Sequence, residues 1–301
     1  MDDGSLVGFS CSNLSNSIQI IMPQNVSEID YNKFKFMGLF VGDNGTGKTC
    51  AACSDDADTY VFDIDNRILP LRRFYKDRRN IYFDSYDVNT VLTDLDNMTN
   101  KLMKSCPYEW VVVDGITSLT TAVVIAQLIT KHGKIKKTRG GVEIASWDEF
   151  NGEATYIASM ISELQATKAN VIVTAHPVTK VIADGTKLTE ITSFGIKTPS
   201  ILPGYFNEIY YFNNEVDITQ KRSIVVTTSP SSENPKAKTA LPIPQKIDIT
   251  TNPENPDYSR GLIPQIKEHL KKFKLNIDKN TQNITPTVEN IEQKTTFRFG
   301  V

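Results

Sequence analysis

Cysteine is scarce in this 301-residue chain. Its four cysteines, Cys11, Cys50, Cys53 and Cys106, are too few to staple a chain of this size with disulfides. Histidine is scarcer still: His132, His176 and His269 are scattered and have no cysteine neighbours, so no zinc-ligand pattern is present. Long apolar runs are missing. Trp110–Val113 and Thr121–Thr130 fall well short of the roughly 20 residues of a membrane span, so no membrane partner is expected. The chain opens on Asp2-Asp3 without a basic-then-apolar order, and a cytoplasmic protein with no secretory leader is the expectation. Charge of one sign is also lacking. Thirty-three Lys and Arg against 35 Asp and Glu leave −2, an average that argues against a uniformly basic nucleic-acid binder. What is there is ordinary globular material, 40% hydrophobic and 23% charged. That excludes collagen, coiled coil and wholesale disorder, and suffices for a sizeable α/β core.

Short apolar runs read as buried strands at Lys35–Val41, Tyr60–Ile64, Asn80–Phe83, Trp110–Val113 and Asn170–Thr174. Helical periods precede the last two. Val88, Val91, Leu92, Leu95, Leu102 and Met103 form one stripe, and Phe150, Ala154, Ile157, Met160, Ile161 and Leu164 the other. The second opens on a capping box, Ser146-Trp147-Asp148-Glu149. Strands alternating with amphipathic helices predict an α/β fold with a mostly parallel central sheet flanked by helices. Tyr205–Phe212, Arg222–Thr228 and Gln245–Thr250 lack a helical period between them and predict an antiparallel extension toward the C-terminus. A helix is expected over Gly261–Leu275. The organisation expected is an N-terminal extension (1–33, with one strand near Ser17–Met22), a core (34–250), a helical segment (251–275) and a loose polar tail (276–301).

Gly42-Asp43-Asn44-Gly45-Thr46-Gly47-Lys48-Thr49 fits G-x-x-x-x-G-K-[ST] without mismatch, between a strand and a helical stretch. Glycines allow backbone N–H groups to converge on phosphate oxygens, and the following helix offers its N-terminal end. Lys48 brings a cation to the β/γ-phosphates, and the Thr49 hydroxyl suits Mg²⁺. Asp114 ends a buried strand 65 residues beyond Thr49, where such a site holds Mg²⁺ through a carboxylate; alternatively it caps the next helix. Hydrolysis also needs a group to activate water, and alternation along a strand would send Asp63 and Asp65 to one side at its carboxyl end. Cys50 and Cys53 have redox spacing but fall on the helix after the loop, where small side chains pack against a sheet.

These motifs resemble the RecA-like recombinase ATPases, in particular the compact phage-encoded RecA-like nucleotide-binding and single-strand annealing proteins. The likeness spans about residues 34–250 and rests on the loop at 42–49, Phe62-Asp63-Ile64-Asp65, Val111-Val112-Val113-Asp114, Val171-Ile172-Val173-Thr174-Ala175-His176 and Asn234-Pro235-Lys236-Ala237-Lys238. The resemblance implies a RecA-like core using ATP and Mg²⁺. Asp65 stands where the family has a catalytic glutamate, and His176 where a polar residue senses the γ-phosphate. Lys236 and Lys238 match a pair that reaches a neighbouring subunit's ATP, which implies a homo-oligomer, ring or filament. Two loops would face single-stranded DNA. One carries Lys131, Lys134, Lys136, Lys137 and Arg139, five cations in nine residues without an acid. The other carries Lys180, Lys187, Phe194 and Lys197. Clustered cations neutralise phosphates and an aromatic offers a stacking face. The basic stretch Arg67, Arg72, Arg73, Lys76, Arg78 and Arg79 has no assignment. Two readings therefore stand: an ATPase acting on single-stranded DNA in recombination, annealing or repair, and an ATPase acting on a protein partner as a helicase loader or assembly factor. A small-molecule kinase lacks an arginine-rich lid motif here.

Overall fold

The computed structural model describes residues 34–282, apart from 88–89, 133–136, 139–140, 143–146, 182–184, 186, 194, 217, 220, 233 and 253–254. The strand expected at Ser17–Met22, the capping Ser146, Phe194 and the tail beyond Gln282 lie outside the described residues.

The elements follow in chain order. β1 (Met37–Gly42), α1 (Lys48–Ala52), β2 (Thr59–Asp63), α2 (Leu69–Phe74), β3 (Ile81–Ser85), α3 (Val91–Lys104), β4 (Trp110–Asp114) and α4 (Ile116–His132) form the first half. β5 (Lys137–Thr138) and β6 (Gly141–Val142) pair as a small ribbon before α5 (Trp147–Ala166) and β7 (Asn170–Ala175). A hairpin of β8 (Pro177–Val181) and β9 (Lys187–Ile191) leads to α6 (Thr198–Ile201), β10 (Glu208–Val216), β11 (Arg222–Thr227), β12 (Lys246–Asp248) and α7 (Leu262–Gln282).

Eight strands form one sheet in the order β12-β11-β10-β1-β7-β4-β2-β3. β10 pairs parallel with β1, so the antiparallel extension begins only at β11. Runs such as Trp110-Val111-Val112-Val113 are apolar at every position because both faces of the sheet are covered. Met37, Leu39 and Val41 join Val111, Val113, Val171 and Val173 in the core that packs against α3, α4 and α5. Alternation turns Phe40, Tyr210 and Phe212 to the opposite face, where Phe40 stacks on Tyr210 at 5.7 Å and meets Phe212 at 5.1 Å. α3 buries Val91, Leu95, Thr99 and Leu102, the stripe its spacing predicts.

α7 runs past the expected end at Leu275. No Gly or Pro interrupts residues 265–282, and Glu268 pairs with Lys272 one turn on at 2.6 Å. Its start is docked by burial of Leu262, Ile263 and Ile266 and by Lys267, whose Nζ lies 2.6 Å from Asp55. Asp55 also accepts from Trp110 Nε1 at 2.6 Å, so α7 is tied to the entry of β4.

The entry of β1 is pinned by Lys35, whose Nζ donates to the carbonyls of Leu164, Gln165 and Thr167 at the C-terminal end of α5. A cation there satisfies orphan carbonyls and opposes the helix dipole. Lys35→Met keeps the aliphatic stem and loses these bonds. We expect a destabilisation of about 1–2 kcal/mol, read as a lower denaturation midpoint at unchanged m-value.

Candidate active site

β1 ends in the glycine turn, and the turn closes only around glycine. A Cβ on Gly42 would meet Thr46 Oγ1 at 2.7 Å and the Phe212 carbonyl at 2.9 Å. Gly45 and Gly47 have φ of 75° and 79°, the left-handed region. A Cβ on Gly45 would meet nothing within 4 Å, so the loop faces open space of the kind a phosphate chain needs. Thr46 Oγ1 donates to the Asp43 carbonyl at 2.8 Å and holds the curl, while Asp43 and Asn44 are exposed. α1 has only five residues, so the helix-dipole contribution expected from the sequence is small. Anion attraction falls to the loop amides and to Lys48.

Lys48 is buried, and its Nζ donates to the carbonyls of Gly42 at 2.7 Å and Asp43 at 2.9 Å. Burial lowers its pKa, and Asp114, Asp43 and Asp65 partly oppose that shift. Asp114 ends β4 in a buried position. Thr49 Oγ1 donates to its Oδ2 at 2.8 Å, and Thr174 Oγ1 donates to its Oδ1 at 2.6 Å. Burial raises the Asp114 pKa, opposed by the Thr174 and Thr49 hydroxyls and reinforced by Asp65 and Asp63. A carboxylate and a hydroxyl side by side are hard oxygen donors. They fit Mg²⁺, which takes one or two protein ligands and completes its octahedron with phosphates and water.

The two aspartates at and just beyond the end of β2 separate cleanly. The strand ends at Asp63, so alternation does not carry through to Asp65. Asp63 Oδ1 accepts the Arg67 N–H at 2.9 Å, and Oδ2 accepts the Ile68 N–H and the Ser85 hydroxyl, both at 3.2 Å. It is a turn cap with its oxygens committed. Asp65 instead lies 3.8 Å from His176 Nε2. Burial pushes the Asp65 pKa up, yet His176, Ser118 and Arg67 together hold it below the ordinary carboxylate value. The His176 backbone N–H donates to Thr117 Oγ1 at 3.1 Å, and that hydroxyl donates to the Thr192 carbonyl at 3.1 Å. The base of the β8–β9 hairpin is thereby stitched to the start of α4.

The remaining predicted residues lie elsewhere. Ala237 is buried in the core, which turns the flanking Lys236 and Lys238 outward. Their ammonium groups meet the carbonyls of Pro199 and Pro203 at 3.2 and 3.3 Å, not the chain's own phosphate loop. Lys180 pairs with Glu190 at 2.5 Å, and Lys197 donates to Asn151 Oδ1 at 2.6 Å. Lys131 lies one residue before the end of α4, Lys137 lies in β5 and Lys187 opens β9; Lys134, Lys136 and Arg139 lie outside the described residues. Arg78 is a structural staple. It donates to the carbonyls of Ser54 and Asp55 and lies over the rings of Tyr75 and Tyr258 at 5.0 and 4.6 Å. Cys53 is fully buried, and burial pushes the Cys50 thiol up to about 12, so neither is poised for redox work.

Sequence reasoning missed Thr174, which joins Asp114 to the Gly115 N–H, and the trio Asn66, Gly115 and Ser118 around Asp65. A hydroxyl within the apolar run Val171–Ala175 was the one available signal for Thr174.

The phosphate loop, Thr49, Asp114, Asp65 and His176 all meet at the carboxyl ends of β1, β2, β4 and β7, where open α/β sheets bind ligands. An α/β fold with a mostly parallel sheet and such a loop at a strand's carboxyl end is that of a P-loop NTPase, a class that binds nucleotide, typically with Mg²⁺. More narrowly, residues 35–239 match the family model described as an AAA domain, and the chain belongs to that family. No curated protein gives a significant match. Among solved structures, the chain is similar to a KaiC-like protein from the hyperthermophilic archaeon Pyrococcus horikoshii OT3, with 12% identity and a TM-score of 0.44 over 73% of this chain and 87% of that one. Among the described residues, no helix is long and apolar enough to cross a membrane.

Proposed function

We propose that the protein binds and hydrolyses ATP with Mg²⁺ and couples that cycle to single-stranded DNA, in recombination, annealing or repair. One observation supports the reading: both basic segments follow, along the chain, from elements that begin at residues of the candidate site. α4 starts two residues after Asp114 and leads to Lys131–Arg139, and the β8–β9 hairpin starts one residue after His176. A change in what Asp114 and His176 contact is thereby passed to both segments through covalent continuity.

Each residue has a stated part. The loop amides and Lys48 hold the phosphates, and Thr49 with Asp114 would hold the metal, which neutralises developing charge when bound. Asp65, kept ionised and weakly basic, orients the attacking water rather than removing its proton outright. His176 reports the γ-phosphate to the hairpin. The apolar cleft beside α1, lined by Cys50, Tyr75, Ile224, Ile249 and Tyr258, would suit the base of the nucleotide. Lys236 and Lys238, turned outward, act on a neighbour's nucleotide in a homo-oligomer.

ATP turnover is expected to rise severalfold with single-stranded DNA. Neutralising Lys134, Lys136, Lys137 and Arg139 together should abolish that rise and flatten the salt dependence of DNA binding. Turnover indifferent to every nucleic acid, with no salt-sensitive DNA affinity, would leave the protein-directed ATPase as the correct reading.

A further inference from the structure

No strand places Asp65; it lies two residues beyond β2, in a turn whose geometry is set by its neighbours. Asn66 has φ of 53°, the single positive value outside glycine among the described residues, and its Nδ2 donates to the Tyr86 carbonyl at 3.0 Å. Asparagine tolerates this left-handed conformation better than other side chains do. Asp63 caps the same turn from the other side. Facing it, Gly115 adopts φ of 103° between Asp114 and α4. A Cβ on Gly115 would lie 2.6 Å from both Cγ and Oδ1 of Asp65 and 3.0 Å from Oδ2. The carboxylate therefore occupies the volume that any side chain at 115 would need. Ser118, on the first turn of α4, stands near enough to the same carboxylate to help lower its pKa. The Gly115 N–H donates to Thr174 Oγ1 at 2.9 Å, and Thr174 donates to Asp114.

We propose that Gly115 is a positioning residue for hydrolysis: its missing side chain admits the Asp65 carboxylate to the space beside Asp114, and its N–H, held by Thr174, locks the two carboxylates into one frame. The inference rests on the reading that Asp65 orients the attacking water. Positional errors near 1 Å cost about 10²-fold in rate, and a Cβ in this volume would displace the carboxylate by that order.

The test is a cycle of Gly115→Ala, Asp65→Ala and the double variant, followed by steady-state ATPase, binding of a fluorescent ATP analogue, and melting. Gly115→Ala should lower kcat by about 10²-fold with analogue affinity changed less than about twofold. In the Asp65→Ala background the same substitution should change kcat by less than about twofold. The double variant should melt higher than Gly115→Ala alone, because the vacated carboxylate volume accepts the new methyl. Backbone strain from the positive φ is common to both backgrounds. Losses that multiply, or a double variant that melts no higher than Gly115→Ala, would overturn the inference. A wild-type kcat in Asp65→Ala would instead refute the role given to Asp65, and the inference with it. If Gly115→Ala does not fold, Ser118→Ala takes its place in the cycle. It should cost about five- to tenfold in kcat with Asp65 present and nothing without it; an equal cost in both backgrounds would count against the frame.

Discussion

Lys48→Ala is expected to lower ATP turnover by about 10³-fold and to weaken nucleotide binding measurably. Two losses combine. The first is the cation over the β/γ-phosphates, in a site shielded enough for a charge to act at full strength. The second is internal. Lys48 Nζ bonds the Gly42 and Asp43 carbonyls, so its removal takes a donor from each, leaves Asp43 to Thr46 alone and slackens the turn that aims the amides. Lys48 also faces Asp114, Asp43 and Asp65, whose mutual repulsion it offsets. Lys48→Arg tests the division: it restores charge but not the compact fit of an ammonium between two carbonyls. Turnover in Lys48→Arg should stay within about tenfold of Lys48→Ala. Substantial ATPase in Lys48→Ala, with the P-loop intact by melting, would sink the nucleotide reading altogether.

Asp114→Asn should separate stability from activity. Turnover should fall by about 10²–10³-fold, since the carboxylate that suits Mg²⁺ is gone. Without metal and nucleotide, however, the variant should melt a few degrees above the parent. The sign follows from linkage. Burial raises the folded-state pKa of Asp114 above its ordinary 3.8, so folding penalises the ionised form. That penalty is absent well below pH 3.8, grows as pH rises through the folded-state value and is constant above it. The stability gap between variant and parent should therefore open on raising the pH and then stay level. Adding Mg²⁺ and a non-hydrolysable ATP analogue should raise the parent's melting temperature more than the variant's. A variant that melts lower than the parent at neutral pH, without ligands, would show that hydrogen bonds from Thr49 and Thr174 outweigh desolvation at this carboxylate.

Much of the fold was legible in the sequence because strands buried on both faces leave unmistakable apolar runs, and because the glycine loop requires its residues at fixed spacing. The strands at Trp110–Asp114 and Asn170–Ala175 and the stripe of α3 needed nothing but local pattern. What failed to show depended on contacts distant in sequence. The division of labour between Asp63 and Asp65 turns on where β2 stops: the Ile64 N–H still bonds the Asp114 carbonyl of β4, but the Asn66 N–H turns back to the Asp63 carbonyl. The turn then consumes Asp63. Nothing in the sequence singles out Gly115, since only the folded chain brings Asp65 against it. The short α1 was hidden because the helix-forming stretch after the loop ends at Cys53, where the chain turns toward Ser54 and Asp55.

Gly115 also stands at the foot of a long rod. The 17 residues of α4 are about 25 Å of nearly incompressible helix, rising from the strand end that holds Asp114. Rotation of about 5° at that foot sweeps the far end through about 2 Å, because displacement grows in proportion to distance from the pivot. The far end is His132, where the cation-rich segment begins. A rotation of that size beside bound phosphates would reach the opposite end of α4 as a displacement comparable to a hydrogen-bond length. Such a displacement would need no relay of side chains, only a stiff helix whose foot is fixed in the same frame as Asp65 and Asp114.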